Sequence, residues 1–388
     1  MSASSAALTM DRTIAARPPA AIPALDIIAN IAQVQLTPMA VEIDEGHYPL
    51  EIMADLGKAG AFRFHLADGG HRFDLAISAM ETISAACGST GFLAWCHDVM
   101  GLYLDQSDNA GLRERLLPYH AVARTFGGTA LSNPMKSFAG IEPVLLKARP
   151  VAGGYSVTGS LPWVSHIAPG QYCAAIAQIE VEAGCESHEV MFLLPFDGRA
   201  RLRTCPKFSG MEGTSTWGIT LEDFFVPVAD IIADPVKPFI ARIRASFILL
   251  QTGMALGVAR GAIADIRAVH GHLAHVNQYL SDGADELEPE LDALRARIMA
   301  LAATPFDTSR DYLLNVLDAR AEGAELCLRA AQSALLHQGA SGYLMTSAPQ
   351  RRIRESHFVA IVTPAIKHLR RLMAQLEQDP SPAQEQGR

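Results

Sequence analysis

The feature that most constrains this chain is a change of periodicity. Between Phe126 and Asp234 the helical spacing of apolar residues stops, and short apolar runs alternate with Gly, Pro and Asp turns. On either side the helical spacing resumes. An α+β chain of separate domains follows: an N-terminal α-helical domain, a central β-barrel or sandwich, and a C-terminal four-helix bundle. No repeat of fixed period competes with this reading. At 388 residues, 49% of them hydrophobic, the chain is long enough for two or three units with extensive cores. The expected boundaries are a disordered tail over 1–22, helices over 23–125, the β-domain over 126–235, the bundle over 236–376 and a second disordered tail over 377–388.

Within the first helical region, Leu25, Ile28, Ile31, Val34 and Leu36 predict a helix from Ala24 toward Asp44, which Pro38 is expected to kink or end. Pro49 opens a second helix that closes near Gly60. A third runs from about Phe73 to Cys87, and a fourth from after Ser89 to about Leu104. In the last region, helices are expected over about 239–270, 288–303, 309–336 and 365–375. Gly253, Gly257 and Gly261 leave room for a neighbouring helix, in the same subunit or another. Strands are expected over 171–180, 188–195 and 218–227.

The stretch Gly154 to Ser165 reads as a β-hairpin. Alternation along a strand puts Trp163 and Ser165 on one face. A flat aromatic beside a hydroxyl suits a flat polar ligand, although an indole is equally at home in an apolar core.

A formal charge of −9 argues against a nucleic-acid binder, because neutralising phosphates needs a basic surface. The six cysteines form no C-x-x-C pair and have no histidine at zinc-ligand spacing, so no metal site is expected. His270, His272 and His275 lack a carboxylate or Cys partner in a defined motif and read as a solvated loop. The first 22 residues hold no apolar segment of signal-peptide length, and the run Phe247–Val258 is too short to span a bilayer. A cytoplasmic protein without a membrane partner is the expectation.

Several local segments, in order, resemble the acyl-CoA dehydrogenase superfamily of flavoproteins. They are Cys87-Gly-Ser-Thr-Gly91, Ala130-Leu-Ser-Asn-Pro134 followed by Ala139-Gly-Ile-Glu142, Gly159 through Trp163-Val-Ser165, Met211-Glu-Gly with Leu221-Glu-Asp-Phe-Phe-Val-Pro227, and Gln338-Gly-Ala-Ser-Gly-Tyr343 followed by Arg351-Arg-Ile-Arg-Glu355. The resemblance extends from about Ala24 to Leu372. It implies a flavin, FAD or alternatively reduced FMN, between the β-domain and the bundle. Leu131 and Ser132 would meet the pyrimidine edge of its ring, Trp163 the ring system, and Ser165 the region of the reactive nitrogen. Gly339, Ala340 and Gly342 would let backbone approach the cofactor.

The resemblance also implies a reaction: oxidation of the CH–CH group of an acyl thioester such as an acyl-CoA, or of a related small substrate. This chain departs from the pattern where that chemistry needs a carboxylate. Thr363 and Phe247 stand at the two positions where the family carries its catalytic glutamate, and Ile141 replaces a substrate-binding serine. Val269 to His275 replaces the segment whose arginine and phenylalanine help hold the dinucleotide. His97, on a helix where monooxygenase members place a histidine near the flavin, is the candidate acid–base group, with Ser165 beside it. Glu142, Glu355 and His357 are lesser candidates, Glu355 being better read as an ion-pair partner of Arg351 or Arg352. The alternatives are a flavin monooxygenase fed by a partner reductase, and a non-catalytic acyl- or partner-binding descendant. A homotetramer is implied throughout.

Overall fold

Apolar spacing carries one helix from Ala21 to Asp44 in three parts: α1 (Ala21–Ile31), a π-helical turn over Ala32–Leu36, and α2 (Thr37–Asp44). The expected break at Pro38 does not occur. The wider π turn already interrupts the i→i−4 ladder, so a residue without an N–H is tolerated there. The Thr37 hydroxyl donates to the Ala32 carbonyl at 3.0 Å across the same turn. The computed structural model of the protein describes residues 21–180 and 187–378, so nearly all of both expected tails lies outside the described residues.

The first domain continues with α3 (Leu50–Lys58), α4 (Phe73–Ala86), α5 (Gly88–Gln106) and α6 (Ala110–His120). Every residue of α5 except Gln106 is buried, which makes it the axis of this domain. Helix α6 has no apolar stripe to announce it; the Asn109 side chain caps it by accepting from Leu112 N–H at 3.1 Å.

The central domain comprises β1 (Gly127–Thr129), α7 (Ser132–Phe138), β2 (Lys147–Val151), β3 (Gly154–Val164), β4 (Tyr172–Ile179), β5 (Glu189–Pro195), β6 (Arg201–Thr204), β7 (Trp217–Pro227) and β8 (Ile231–Ala233). They form one mixed sheet in the order β6-β7-β3-β2-β4-β5-β8, with β1 parallel to β4. The predicted hairpin over Gly154–Ser165 is instead one strand, and the true hairpin joins β2 to β3. Gly159 accounts for the misreading. It has φ +141° at a register shift against β7, so it bends β3 without ending it.

Strands β4 and β5 are buried on both faces. Cys173, Ala175 and Ala177 on β4, with Val190, Phe192 and Leu194 on β5, turn into a core around which the sheet curls. The intervening Tyr172, Ala174, Ile176, Met191 and Leu193 pack into the helical core. Two-sided burial explains why these strands read as unbroken apolar runs.

Helices α8 (Val236–Asn277), α9 (Ala284–Leu301), α10 (Arg310–Gln338), α11 (Ala348–Ile361) and α12 (Ile366–Gln378) complete the fold. With 42 residues, α8 outruns its expected span and, like the Pro23–Asp44 helix, is long and apolar enough to cross a membrane. Its most apolar window is 89% buried inside the protein, as in a core helix. Its small-residue face packs on α4 of the same chain. Gly253 lies on Met80, Gly257 against the Glu81 carbonyl and Ser84, and Gly261 against the Ala85 carbonyl and Arg352.

An ionic staple joins the domains. Glu355 on α11, fully buried, accepts from the Gly88 N–H at 2.8 Å, from Arg351 Nε at 3.2 Å and from Arg352 Nη1 at 2.9 Å. Burial opposes its charge, but Arg352 and Arg351 prevail and hold its pKa below the usual carboxylate value. Arg352 also donates to the Ser84 carbonyl at 3.3 Å and to the Ala85 carbonyl, closing the staple on the α4–α5 corner.

Between the first domain and the sheet lies a pack of imidazoles. His65, His97, His120 and His166 are all fully buried. His97 and His120 stack at 3.7 Å and bond reciprocally: His97 Nε2–H donates to the His120 carbonyl at 2.9 Å, and His120 Nε2–H to the His97 carbonyl at 2.8 Å. The Tyr172 hydroxyl meets His120 Nδ1 at 2.8 Å, and the Tyr48 hydroxyl meets His166 Nδ1 at 2.7 Å. Burial holds the rings neutral: His65 and His166 are pushed down to about 3 and His120 to about 4. Burial, then the neighbouring His120 and His166, takes His97 well below its ordinary value.

Two outcomes follow from this packing. Gly257→Val should lower the unfolding free energy by roughly 1–3 kcal/mol through overpacking against α4; an unchanged urea midpoint would show that the helices can part freely. The second concerns pH. The unfolded chain takes up protons near the ordinary histidine value of 6.5, whereas the folded state refuses them until about 3–4. Stability is therefore fully present above 6.5 and declines as pH falls below it. A urea midpoint that stays constant from about pH 7.5 to about pH 5 would contradict the neutral imidazole pack.

Candidate functional site

The three domains meet around a cavity of about 470 Å³, within the range of small-molecule sites. Helix α5 supplies Phe92 and Trp95, and α8 supplies Phe247. The β1–α7 segment brings Leu131 and Ser132, the end of β3 brings Trp163 and Ser165, and α11 with the turn after it brings Phe358 and Thr363. Sequence positions more than 230 residues apart are joined directly, because the Ser132 and Thr363 hydroxyls share a hydrogen bond at 2.9 Å. Thr363 is fixed from behind as well. Its carbonyl accepts from Gln251 Nε2 at 2.8 Å, and Gln251 Oε1 accepts from the fully buried Arg320 at 3.0 Å.

Trp163 lies outside the apolar core. Its side chain is 59% exposed, while its strand neighbours Leu161 and Val164 are buried. Ser165 follows at the end of β3 and shares a hydrogen bond with Thr216 at 2.6 Å, and Thr216 shares one with Thr214 at 2.9 Å. These hydroxyls border a second hollow of about 330 Å³ that also touches Trp163, Phe358 and Arg354. His166, in left-handed backbone at φ +64°, turns away from the cavity toward Tyr48.

Four of the expected site residues, Leu131, Ser132, Trp163 and Ser165, thus line one cavity. His97 does not line it. It is sealed between Phe62, His120, Phe126 and His166, so it has no surface to offer a ligand. Gly339, Ala340 and Gly342 lie in a 3₁₀ turn (Gly339–Tyr343) after α10, outside the lining of both hollows. Gly339 and Ala340 are exposed on the surface. His357 borders the second hollow, and Glu355 is consumed by the ionic staple.

Glu142 is the single acidic side chain lining the larger cavity among the described residues, and it is already engaged. Asn133 Nδ2 donates to it at 2.9 Å and Lys136 Nζ lies 3.3 Å away. Four aromatic side chains, Phe92, Trp95, Phe247 and Phe358, form a contiguous wall: Phe92–Phe358 centroids are 4.6 Å apart and Trp95–Phe247 5.2 Å. This aromatic wall is the part that sequence reading misses, since its members come from three helices. An exposed indole beside a shelf of hydroxyls fits a flat heteroaromatic with polar edges, as a flavin is.

The family model of the acyl-CoA dehydrogenase N-terminal domain matches residues 24–123. Along most of its length the chain is similar to cyclohex-1-ene-1-carbonyl-CoA dehydrogenase of Syntrophus aciditrophicus, 24% identical over 371 residues that cover 87% of this chain and 85% of that protein. Its fold is that of butyryl-CoA dehydrogenase from Megasphaera elsdenii, with a TM-score of 0.80 at 16% identity, covering 92% of this chain and 98% of that one. Dibenzothiophene monooxygenase from Paenibacillus sp. A11-2 has the fold too, with a TM-score of 0.77 at 17% identity over 92% of this chain and 98% of that one. Domain match, long-range similarity and shared fold agree: residues 24–123 match the acyl-CoA dehydrogenase N-terminal domain, and the chain as a whole has the fold of the acyl-CoA dehydrogenases, to which it is similar along most of its length.

Proposed function

We propose that the protein is a flavin-dependent monooxygenase acting on a planar aromatic substrate. The observation that carries this reading is the state of the cavity's carboxylate. Removing a proton beside a thioester carbonyl calls for a free carboxylate in an apolar pocket. Glu142 is tied to Asn133 and Lys136, and Thr363 and Phe247 line the cavity where a base would be needed. A threonine hydroxyl and a phenyl ring cannot accept that proton near neutral pH.

Bound flavin, as FAD or reduced FMN, supplies the electrons and the reactivity toward oxygen. The protein's part is to hold, orient and dry the reactants. Trp163 offers the cofactor a flat apolar face, and the Ser132 and Thr363 hydroxyls offer partners to its polar edge. Ser165 holds a proton at the start of the hydroxyl row through Thr216 and Thr214, which ends at the Met211 carbonyl, 2.8 Å from Thr214 Oγ1. The aromatic wall excludes water and favours a planar substrate. His97 would act only through its neighbours, as a neutral packing group. Gly339 and Ala340, exposed, and Gly342, buried in the same turn, lie outside the cavity and would reach a cofactor only in a second copy of the chain, which agrees with a homotetramer. A partner flavin reductase and a cytoplasmic setting complete the proposal.

A second reading, dehydrogenation of an acyl thioester such as an acyl-CoA, is favoured by the similarity to a cyclohexenoyl-CoA dehydrogenase along 87% of the chain. Anaerobic titration with oxidised and reduced flavins separates the readings. Tighter binding of the reduced form, with oxygen uptake when an aromatic compound and a reductase are added, is expected. A yellow protein bleached anaerobically by an acyl thioester would establish the dehydrogenase instead, and no flavin binding at all would leave a non-catalytic descendant. Trp163→Ala should weaken flavin roughly tenfold, the scale of one lost stacking contact; unchanged affinity would remove Trp163 from the cofactor site. Ser165→Ala should lower turnover while flavin content is retained, and full activity in that variant would take Ser165 off the proton path.

A further inference from the structure

A second cavity, of about 370 Å³, opens where α7, α8 and α12 converge beside β5, and it shares no lining residue with the aromatic cavity. Its walls are apolar, with Met135, Phe138, Ile240 and Leu372, and its charged members are Lys237, Arg244 and Glu189. Glu189 forms an ion pair with Lys237, whose Nζ lies 3.3 Å from Oε2, although that buried oxygen receives no hydrogen bond from a described residue. Arg244, half-buried, forms no hydrogen bond or ion pair with any described residue. Other partly buried arginines are partnered: Arg260 and Arg295 meet Glu81, and Arg113 donates to the Ser107 carbonyl at 3.0 Å. A guanidinium withdrawn from water without a protein partner is costly unless a ligand completes its hydrogen bonds.

We propose that this cavity binds a small organic oxyanion, a phosphate or carboxylate group on an apolar body, with Arg244 as its principal partner. The planar guanidinium would grip two oxygens at once, and the apolar walls would take the body. His368, 4% exposed and lining the same cavity, reports a positive surrounding. Burial lowers its pKa, and the charges of Arg244, Arg371 and Lys136 lower it further. Burial also lowers the pKa of Arg244. A bound anion would relieve both.

Calorimetric titration of the full chain, without flavin, tests this site independently of the proposed reaction. The probes are butyl phosphate, butyrate and inorganic phosphate. Saturable binding of butyl phosphate or butyrate is expected, weakened at least tenfold in Arg244→Gln and largely kept in Arg244→Lys, which retains the charge. Circular dichroism of both variants guards against loss of fold. The proposal is overturned if neither organic anion saturates, if Arg244→Gln binds like the parent, or if inorganic phosphate binds as tightly as butyl phosphate.

Discussion

The carboxylate of Glu355 is the constraint on which the rest of the architecture turns. It lies at a corner where α4 ends, α5 begins and α11 crosses, and it receives the Gly88 N–H together with two guanidinium groups. A buried charge so surrounded is strongly destabilising to unpair, because the partners left behind cannot return to water. A Cβ on Gly88 would collide with the Glu355 side chain, and one on Gly91 with Ser84, so the glycines of Cys87–Gly91 exist to admit this contact. A parallel clasp works nearby. Asp44 on the first long helix accepts from the Met211 N–H at 2.7 Å and pairs with Arg354 on α11. Together they fix α5 and α11, which supply most of the aromatic wall, relative to each other and to the sheet.

With that frame in place, the chemistry of the cavity follows from what each element can present. Helix α5 is buried along its length, so its cavity-facing positions are apolar. Strand β3 reaches the cavity only at its end, where the alternation is disturbed between Leu161 and Val164 and an indole is released from the core. The turn after α11 delivers a threonine, held through Gln251 by a buried arginine. The result is a dry, aromatic space with hydroxyls on one side and no free acid among its described lining residues. Such a space holds planar groups well and abstracts protons poorly.

Much of this was legible in the residues. The loss of helical spacing at Phe126 and its return after Asp234 located the sheet between helical domains. Ser132, Trp163 and Ser165, named together by the motifs, line one cavity. What escaped reading has specific physical causes. Strands β1 and β8 have three residues each and owe their existence to pairing, not to pattern. Gly159 mimicked a turn because a bulge and a turn ask for the same backbone freedom. His97 looked available because helical position alone cannot reveal that His120 and His166, from distant segments, seal it. The cationic cavity of Arg244 is assembled from helices more than 100 residues apart and leaves no local signature.

The exposure of Trp163 has a further consequence. The chain has three tryptophans, and the structure grades them: Trp95, in the aromatic wall of the cavity, is 3% exposed, Trp217 is partly covered, and Trp163 stands open at the mouth of the cavity. An indole's emission colour follows the polarity around it, so the red-shifted portion of the protein's intrinsic fluorescence originates at the site itself. The molecule therefore carries its own optical gauge, because two of its three indoles, Trp163 and Trp95, line the cavity.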